Sequence, residues 1–174
     1  IREAVETGQV HFGENRPREL RDKEAELKGQ KWHMIGRLQR NKVKYIAPFV
    51  HLIHSIDSTD LLDEVEKEAA KNDRIIDCLI QMNISEEPQK GGIEPSDIQE
   101  LFSYASTLPH IRIRGLMGMA EYTDDETVIR SQFKKLKTLF DAYAAQQLPQ
   151  NIHMQEISMG MTGDFHIAIQ EGAT

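Results

Sequence analysis

The segment Ser158–Asp164, with the sequence SMGMTGD, combines two glycines with two hydroxyl side chains directly after an apolar stretch. Glycines here let a strand turn sharply into a helix, whose first backbone N–H groups attract an anion. The hydroxyls of Ser158 and Thr162 can add hydrogen bonds to the same anion. Taken alone, the glycine spacing favours a simpler interpretation, a tight turn followed by a capping aspartate.

Four other apolar stretches end in glycine or polar residues in the same way. They are Phe12–Asn15, Trp32–Gly36, His54–Asp57 and Arg114–Met119. Individually they are weak signals, because a lone Asn15 is usually a turn residue and His33 in an apolar stretch is more often a packing residue than a catalyst. Parallel barrels carry their sites at the carboxyl ends of the strands, so the joint placement favours a functional site.

The elements that must position these residues alternate between strand and helix. Six strands are predicted, at Gln9–Phe12, Lys31–Ile35, His51–Ile56, Ile75–Ile84, Ile111–Met119 and Gln155–Met159. Helix starts are predicted at Ser58–Asp60, Pro95–Asp97 and Thr123–Asp125, the last opening the longest helix, and Phe165–Gln170 forms another. This alternation predicts an α/β fold with a parallel sheet, and a spacing of roughly 31 residues per unit favours a (β/α)8 TIM-like barrel over a doubly wound sheet.

Residues 1–174 are expected to form a single partial barrel domain that lacks its first and last strands. Ile1–Gly8 has the pattern of the last turns of a helix, and Thr174 stands where a further strand is expected. The sequence thus predicts exposed strand edges and a piece of a longer protein. An intact mass well above 19.9 kDa would support this hypothesis.

Composition limits the classes of partner. The net charge of -7 argues against nucleic acid and anionic membranes, and no apolar stretch reaches the roughly 20 residues that span a bilayer. Cys78, the single cysteine, predicts a reducing, cytoplasmic location, and a monomer is expected. No metal site is predicted, because His51 and His54, three apart on a strand, should point to opposite faces.

Five motifs together resemble one family, the pyridoxal phosphate homeostasis proteins, which are relatives of the barrel domain of alanine racemase. The motifs occur in order along the chain: Phe12–Asn15, Trp32–Gly36 with Leu38–Lys42, the turn Lys90–Ile93, Arg114–Met117 and Ser158–Asp164. The resemblance covers nearly the whole chain.

This resemblance implies a barrel that holds pyridoxal 5'-phosphate (PLP), with Ser158 and Gly160 on the phosphate and Met117 beside the ring. The residues implied for cofactor binding are Asn15, His33, Ser55, Met117, Ser158, Gly160, Met161 and Thr162. In the family the Schiff-base lysine lies upstream of Ile1, and an arginine and a glycine-threonine loop follow Thr174. Residues 1–174 alone are therefore expected to bind the cofactor weakly or not at all.

Three functions compete at this stage. The resemblance favours a noncatalytic carrier that buffers PLP in vitamin B6 homeostasis and delivers it to PLP-dependent apoenzymes. The first alternative, an amino-acid racemase, needs two acid–base groups on opposite faces of the substrate, yet Tyr45, Tyr104, Tyr122 and Tyr143 fall mostly in predicted helices. The second is a phosphate-binding barrel of another class, or a pure interaction module.

Overall fold

Six parallel strands form one sheet in the computed structural model, which describes residues 1–85 and 91–174. Lys90, part of one motif above, lies outside the described residues. The strands are β1 (His11–Glu14), β2 (Lys31–Met34), β3 (Leu52–Ile56), β4 (Ile76–Met82), β5 (Ile111–Gly118) and β6 (Ile152–Met159).

The order of the strands distinguishes between the two parallel architectures. Each strand pairs with its successor in the chain, in the order β1-β2-β3-β4-β5-β6. A doubly wound sheet reverses its order at a switch point, whereas a barrel adds strands in sequence. The sequential order is that of a barrel, with β1 and β6 at the edges of the described sheet.

Helices connect the strands and cover the sheet. They are α1 (Arg2–Glu6), α2 (Pro17–Glu26), a 3-10 helix (Arg40–Tyr45), α3 (Thr59–Lys71), α4 (Ile98–Ala105), α5 (Glu126–Ala144) and α6 (Phe165–Gln170). Two predicted caps are confirmed: Ser58 accepts a hydrogen bond from the Leu61 N–H at 3.3 Å, and Asp125 accepts one from the Thr127 N–H at 2.9 Å. None of the helices among the described residues combines the length and apolarity that crossing a membrane requires.

The two edge strands depart most from their predicted bounds. β1 runs through Gly13 to Glu14, beyond the predicted end at Phe12. A side chain at Gly13 would place its Cβ 2.9 Å from Ile35 Cδ1, so the glycine makes room for the neighbouring strand. β6 begins at Ile152, three residues before its predicted start, because a buried isoleucine continues the strand ahead of its polar middle.

The core lies between the sheet and its helices. Trp32, Ile53, Ile80 and Phe133 are fully buried in one cluster. A polar pair also links two strands of the sheet. Asp77 on β4 and its register partner Arg112 on β5 form two hydrogen bonds of 2.6 and 3.0 Å. Such a bidentate cross-strand pair fixes the register of β4 against β5.

Cys78 lies inside β4 and has no exposed surface. Burial raises the pKa of its thiol well above the usual range, and only the thiolate reacts quickly with alkylating agents. We expect iodoacetamide to leave the native protein unlabelled at neutral pH and to label it fully in guanidinium chloride, as measured by intact mass. Labelling of the native protein at the unfolded rate would contradict this placement.

Candidate cofactor-binding site

A cavity of about 480 Å³ opens at the carboxyl ends of the strands, within the usual size range of small-molecule sites. We call it the strand-end cavity. Its lining comes from loops and strand ends along the whole sheet: Asn15, Ile35, Gly36, Arg37, His54, Asp57, Gln81, Gly91, Met117, Gly118, Met119, Ser158, Met159, Gly160 and Met161. Parallel strands bring residues that are distant in sequence to this one edge.

Five of the eight residues implied for cofactor binding line this cavity, namely Asn15, Met117, Ser158, Gly160 and Met161. The other three do not. Ser55 is 1% exposed, and its hydroxyl donates to the Gly36 carbonyl at 2.7 Å. Thr162 is exposed outside the lining, and His33 lines a neighbouring cavity instead.

The turn after β6 requires glycine at position 160. Its φ of +90° is rarely adopted by residues with a side chain, and a Cβ there would lie 2.6 Å from Ala168 Cβ. The turn therefore packs directly against α6. Thr162 and Gly163 each keep a backbone N–H without an acceptor among the described residues. These N–H groups are free to bind an anion.

Asp164 does not cap α6 with its side chain. Its carboxylate is 8% exposed and accepts a hydrogen bond from the Met161 N–H, so it closes the turn on itself. The plain-turn interpretation of the sequence placed Asp164 on the helix N–H groups instead. The aspartate stabilises the loop conformation, and the Phe165 N–H at the start of α6 donates to the Met161 carbonyl at 2.8 Å.

A chain of hydrogen bonds leads from Ser158 into the sheet. The Ser158 hydroxyl contacts His54 Nδ1 at 2.9 Å, and His54 Nε2 contacts His33 Nδ1 at 2.8 Å. Burial lowers the pKa of His54 to about 4. Burial, reinforced by the neighbouring histidines, lowers the pKa of His33 to about 3. Both imidazoles are therefore neutral near pH 7 and hold Ser158 without adding charge.

A second cavity of about 490 Å³ adjoins the first; we call it the histidine cavity. Its lining includes His11, His33, His51 and His54 together with Arg114 and Glu156. Ser158 and Met159 line both cavities, so the end of β6 separates them. The hydrogen-bonded histidines connect the two spaces.

The predicted arrangement of His51 and His54 on opposite faces is wrong. Both rings lie beside that of His33, with centroids 5.3 and 5.1 Å away, and both line the histidine cavity. The pairing of β3 with β4 shifts register between Ile53 and Ile56, so the strict alternation of faces fails here.

Sequence reasoning missed four polar residues of the strand-end cavity: His54, Asp57, Gln81 and Arg37. Gln81 is 7% exposed, and its side-chain amide has no hydrogen-bond partner among the described residues. His54 belongs to the segment His54–Asp57, from which the family resemblance implies Ser55, and not His54, for cofactor binding. The irregular pairing of β3 turns the histidine to the cavity and the serine to the core.

No lysine lines the strand-end cavity within residues 1–85 and 91–174. The described residues therefore offer a glycine turn, apolar walls from Ile35 and four methionines, and polar amides, but no amine for an aldehyde. This composition suits noncovalent contacts with an anionic, planar ligand.

A family model described as the alanine racemase N-terminal domain matches residues 1–171, so the chain belongs to that class of barrel domains. The pyridoxal phosphate homeostasis protein of Aquifex aeolicus is 44% identical over 176 residues, which cover 100% of this chain and 76% of that relative. The chain is a member of the pyridoxal phosphate homeostasis protein family, and it spans about three quarters of the length of this relative.

Solved structures of PipY from Synechococcus elongatus are similar throughout. The form without PLP has a TM-score of 0.91 at 34% identity, and the form with PLP bound has a TM-score of 0.86 at 32% identity. Each of the two matches covers 99% of this chain and 81% of the PipY chain. The predicted family and the barrel class are thereby confirmed.

Proposed function

We propose that this protein binds PLP in the strand-end cavity and acts in PLP homeostasis as a noncatalytic carrier of the cofactor. The carrying observation is the turn at Gly160, which packs on α6 and lines the strand-end cavity together with Ser158, whose hydroxyl is held by His54. The relatives named for PLP homeostasis and the PLP-bound PipY structure support the choice of ligand.

The residues present fit this cofactor. A phosphate dianion would accept hydrogen bonds from the turn and from Ser158, whose other contact is the neutral His54. Met117, Met159 and Asn15 line the same space and would contact the pyridine ring. When bound, PLP supplies a reactive aldehyde; the role of these residues is to bind, orient and shield it.

No tyrosine in the described part of the chain lines the strand-end cavity, so the racemase alternative has no tyrosine acid–base group there. Tyr104 donates to Asp63 at 2.5 Å, Tyr143 packs edge-on against Phe102, and Tyr122 is fully exposed. Tyr45, the fourth tyrosine, is also outside the cavity lining. The absence of a tyrosine from the cavity supports a carrier. The expected cytoplasmic location, monomeric state and apoenzyme recipients stay predictions.

Replacing Ser158 tests the phosphate contact. We expect Ser158→Ala to weaken PLP binding about tenfold or more, because a hydrogen bond to a charged group contributes about 1.5–3 kcal/mol. Titration followed by PLP absorbance measures the change. Ser103→Ala is the control, since that hydroxyl donates to Gln99 O on the surface of α4.

Two results would contradict the proposal. Equal PLP affinity in the wild type and in Ser158→Ala would remove the phosphate contact from this turn. Robust inversion of single-enantiomer amino acids by the purified full-length protein would favour the racemase, whereas a full-length protein that ignores added PLP would favour a barrel of another class.

A further inference from the structure

Three strands bring three histidines together on one face of the sheet, although the residues are far apart in sequence. His11 opens β1, His33 lies in β2, and His51 directly precedes β3. The N–H of His51 donates to the Trp32 carbonyl at 2.8 Å, which holds its backbone next to β2. Hydrogen bonding between neighbouring strands therefore fixes the backbone positions of the three histidines.

The three rings form a nearly regular triangle, which we call the histidine triad. Its centroid distances are 5.2 Å for His11–His33, 5.5 Å for His11–His51 and 5.3 Å for His33–His51. One ring nitrogen from each histidine lies within 4.8 Å of the other two. A tetrahedral zinc ion, with Zn–N bonds of about 2.0–2.1 Å, separates its ligand nitrogens by about 3.3 Å. Small ring rotations would therefore complete a three-histidine site.

The contact between His11 and His33 also points to an ion. Nδ1 of His11 and Nε2 of His33 face each other at 2.9 Å. In this hydrogen bond one nitrogen carries the proton, so a divalent ion would displace that proton and open the distance by only a few tenths of an ångström.

His33 has the outer partner that a metal-binding histidine requires. Its second nitrogen, Nδ1, contacts His54 Nε2 at 2.8 Å, and His54 in turn contacts Ser158 on β6. Metal-ligating histidines almost always donate their other N–H to such a partner, which fixes the ring orientation. The orientation of the His33 ring is thus already fixed by these hydrogen bonds before an ion binds.

We propose that His11, His33 and His51 bind a divalent transition-metal ion of the zinc class. Imidazole nitrogens suit Zn²⁺, Co²⁺, Ni²⁺ and Cu²⁺. Asp77 lines the same cavity but is paired with Arg112, so the triad supplies three nitrogen ligands without a carboxylate. None of the three histidines lines the proposed PLP cavity, although His54 and Ser158, which do line it, hold His33.

Metal titration of the whole protein, stripped with a chelator, tests this site. Zn²⁺ is followed by calorimetry and Co²⁺ by its visible absorption, which is intense for tetrahedral coordination. We expect one ion per chain, with an affinity at least about tenfold weaker in His11→Ala and in His51→Ala, since loss of even an outer partner costs about that much. His166→Ala, an exposed histidine on α6, is the matched control and should bind like the wild type.

Circular dichroism shows whether each variant is folded, and PLP titration of His51→Ala shows whether the other cavity is intact. Absence of Zn²⁺ and Co²⁺ binding, or equal binding in the wild type and both triad variants, would overturn the proposal. Loss of PLP binding in Ser158→Ala with retained metal binding would leave it standing, so the two proposals fail independently.

Discussion

Replacement of Gly115 by alanine is expected to destabilise the protein severely. Gly115 lies in β5 with a φ of +149°, and a Cβ there would lie 1.9 Å from the Glu156 carbonyl oxygen on β6. That atom belongs to the backbone, so it cannot rotate away as a flexible side chain would. β6 would have to separate from β5 by more than 1 Å, on the order of the difference between this contact and an ordinary one.

The size of the effect follows from what is lost. β5 and β6 pair from Gly115 to Gly118 directly below the strand-end cavity, with a register shift just before Gly115. Backbone strain and steric overlap in a buried sheet each cost about 1–3 kcal/mol. We expect Gly115→Ala to lower the free energy of unfolding by about 3 kcal/mol or more, which corresponds to a drop of about 10 °C in Tm.

Gly163→Ala is the control for this measurement. A Cβ at Gly163 would meet no atom within 4 Å, and its φ is not in the left-handed region. Thermal unfolding followed by circular dichroism should leave this variant close to the wild type. Equal Tm values for Gly115→Ala and Gly163→Ala would show that the close approach of Glu156 is not a constraint on the fold.

Gly160→Ala is expected to abolish most PLP binding while leaving the sheet folded. The added Cβ would lie 2.6 Å from Ala168 Cβ and 3.1 Å from Phe165 Cα, at a φ that alanine rarely adopts. The turn must then move away from α6 and carry the Ser158 hydroxyl and the free N–H groups with it. Hydrogen bonds to a charged group contribute about 1.5–3 kcal/mol each, so we expect the loss of two of them to weaken PLP binding by about 100-fold or more.

Two further variants test whether the steric clash at position 160 causes the expected loss of PLP affinity. Gly163→Ala adds the same methyl group to the same turn without a clash, so its PLP affinity should stay within about threefold of the wild type. Ala168→Gly combined with Gly160→Ala removes the opposing Cβ and should restore part of the affinity. Wild-type affinity in Gly160→Ala would contradict the proposed phosphate site, irrespective of the metal site.

Local signals in the sequence predicted much of the fold. Ser58 and Asp125 cap helices where expected, because an N-cap depends only on a side chain and the N–H groups two or three residues ahead. The Pro95–Asp97 start is followed by α4 from Ile98, although the Asp97 side chain does not cap it. Strand ends were less certain, as at β1 and β6, since pairing with a neighbouring strand extends a strand beyond its own pattern.

Part of the candidate site was predicted from the sequence, because strand ends can also be recognised from local residues. Asn15, Met117, Ser158, Gly160 and Met161 stand at strand ends, and the parallel sheet brings such ends to one edge. Gln81 and His54 were missed because their place in the cavity depends on which face of the strand they occupy. For His54 that face changed at the irregular pairing of β3.

The glycine turn, the strand–helix alternation and the family motifs are each properties of short segments. The sequence by itself was therefore sufficient to predict a barrel that binds PLP. The hydrogen-bonded line from Ser158 to His33 and the triad of His11, His33 and His51 are not. They arise from the register between parallel strands and from one bulge, which are set when helices and sheet pack together. Contacts between residues 20 or more positions apart become visible only after that packing is known.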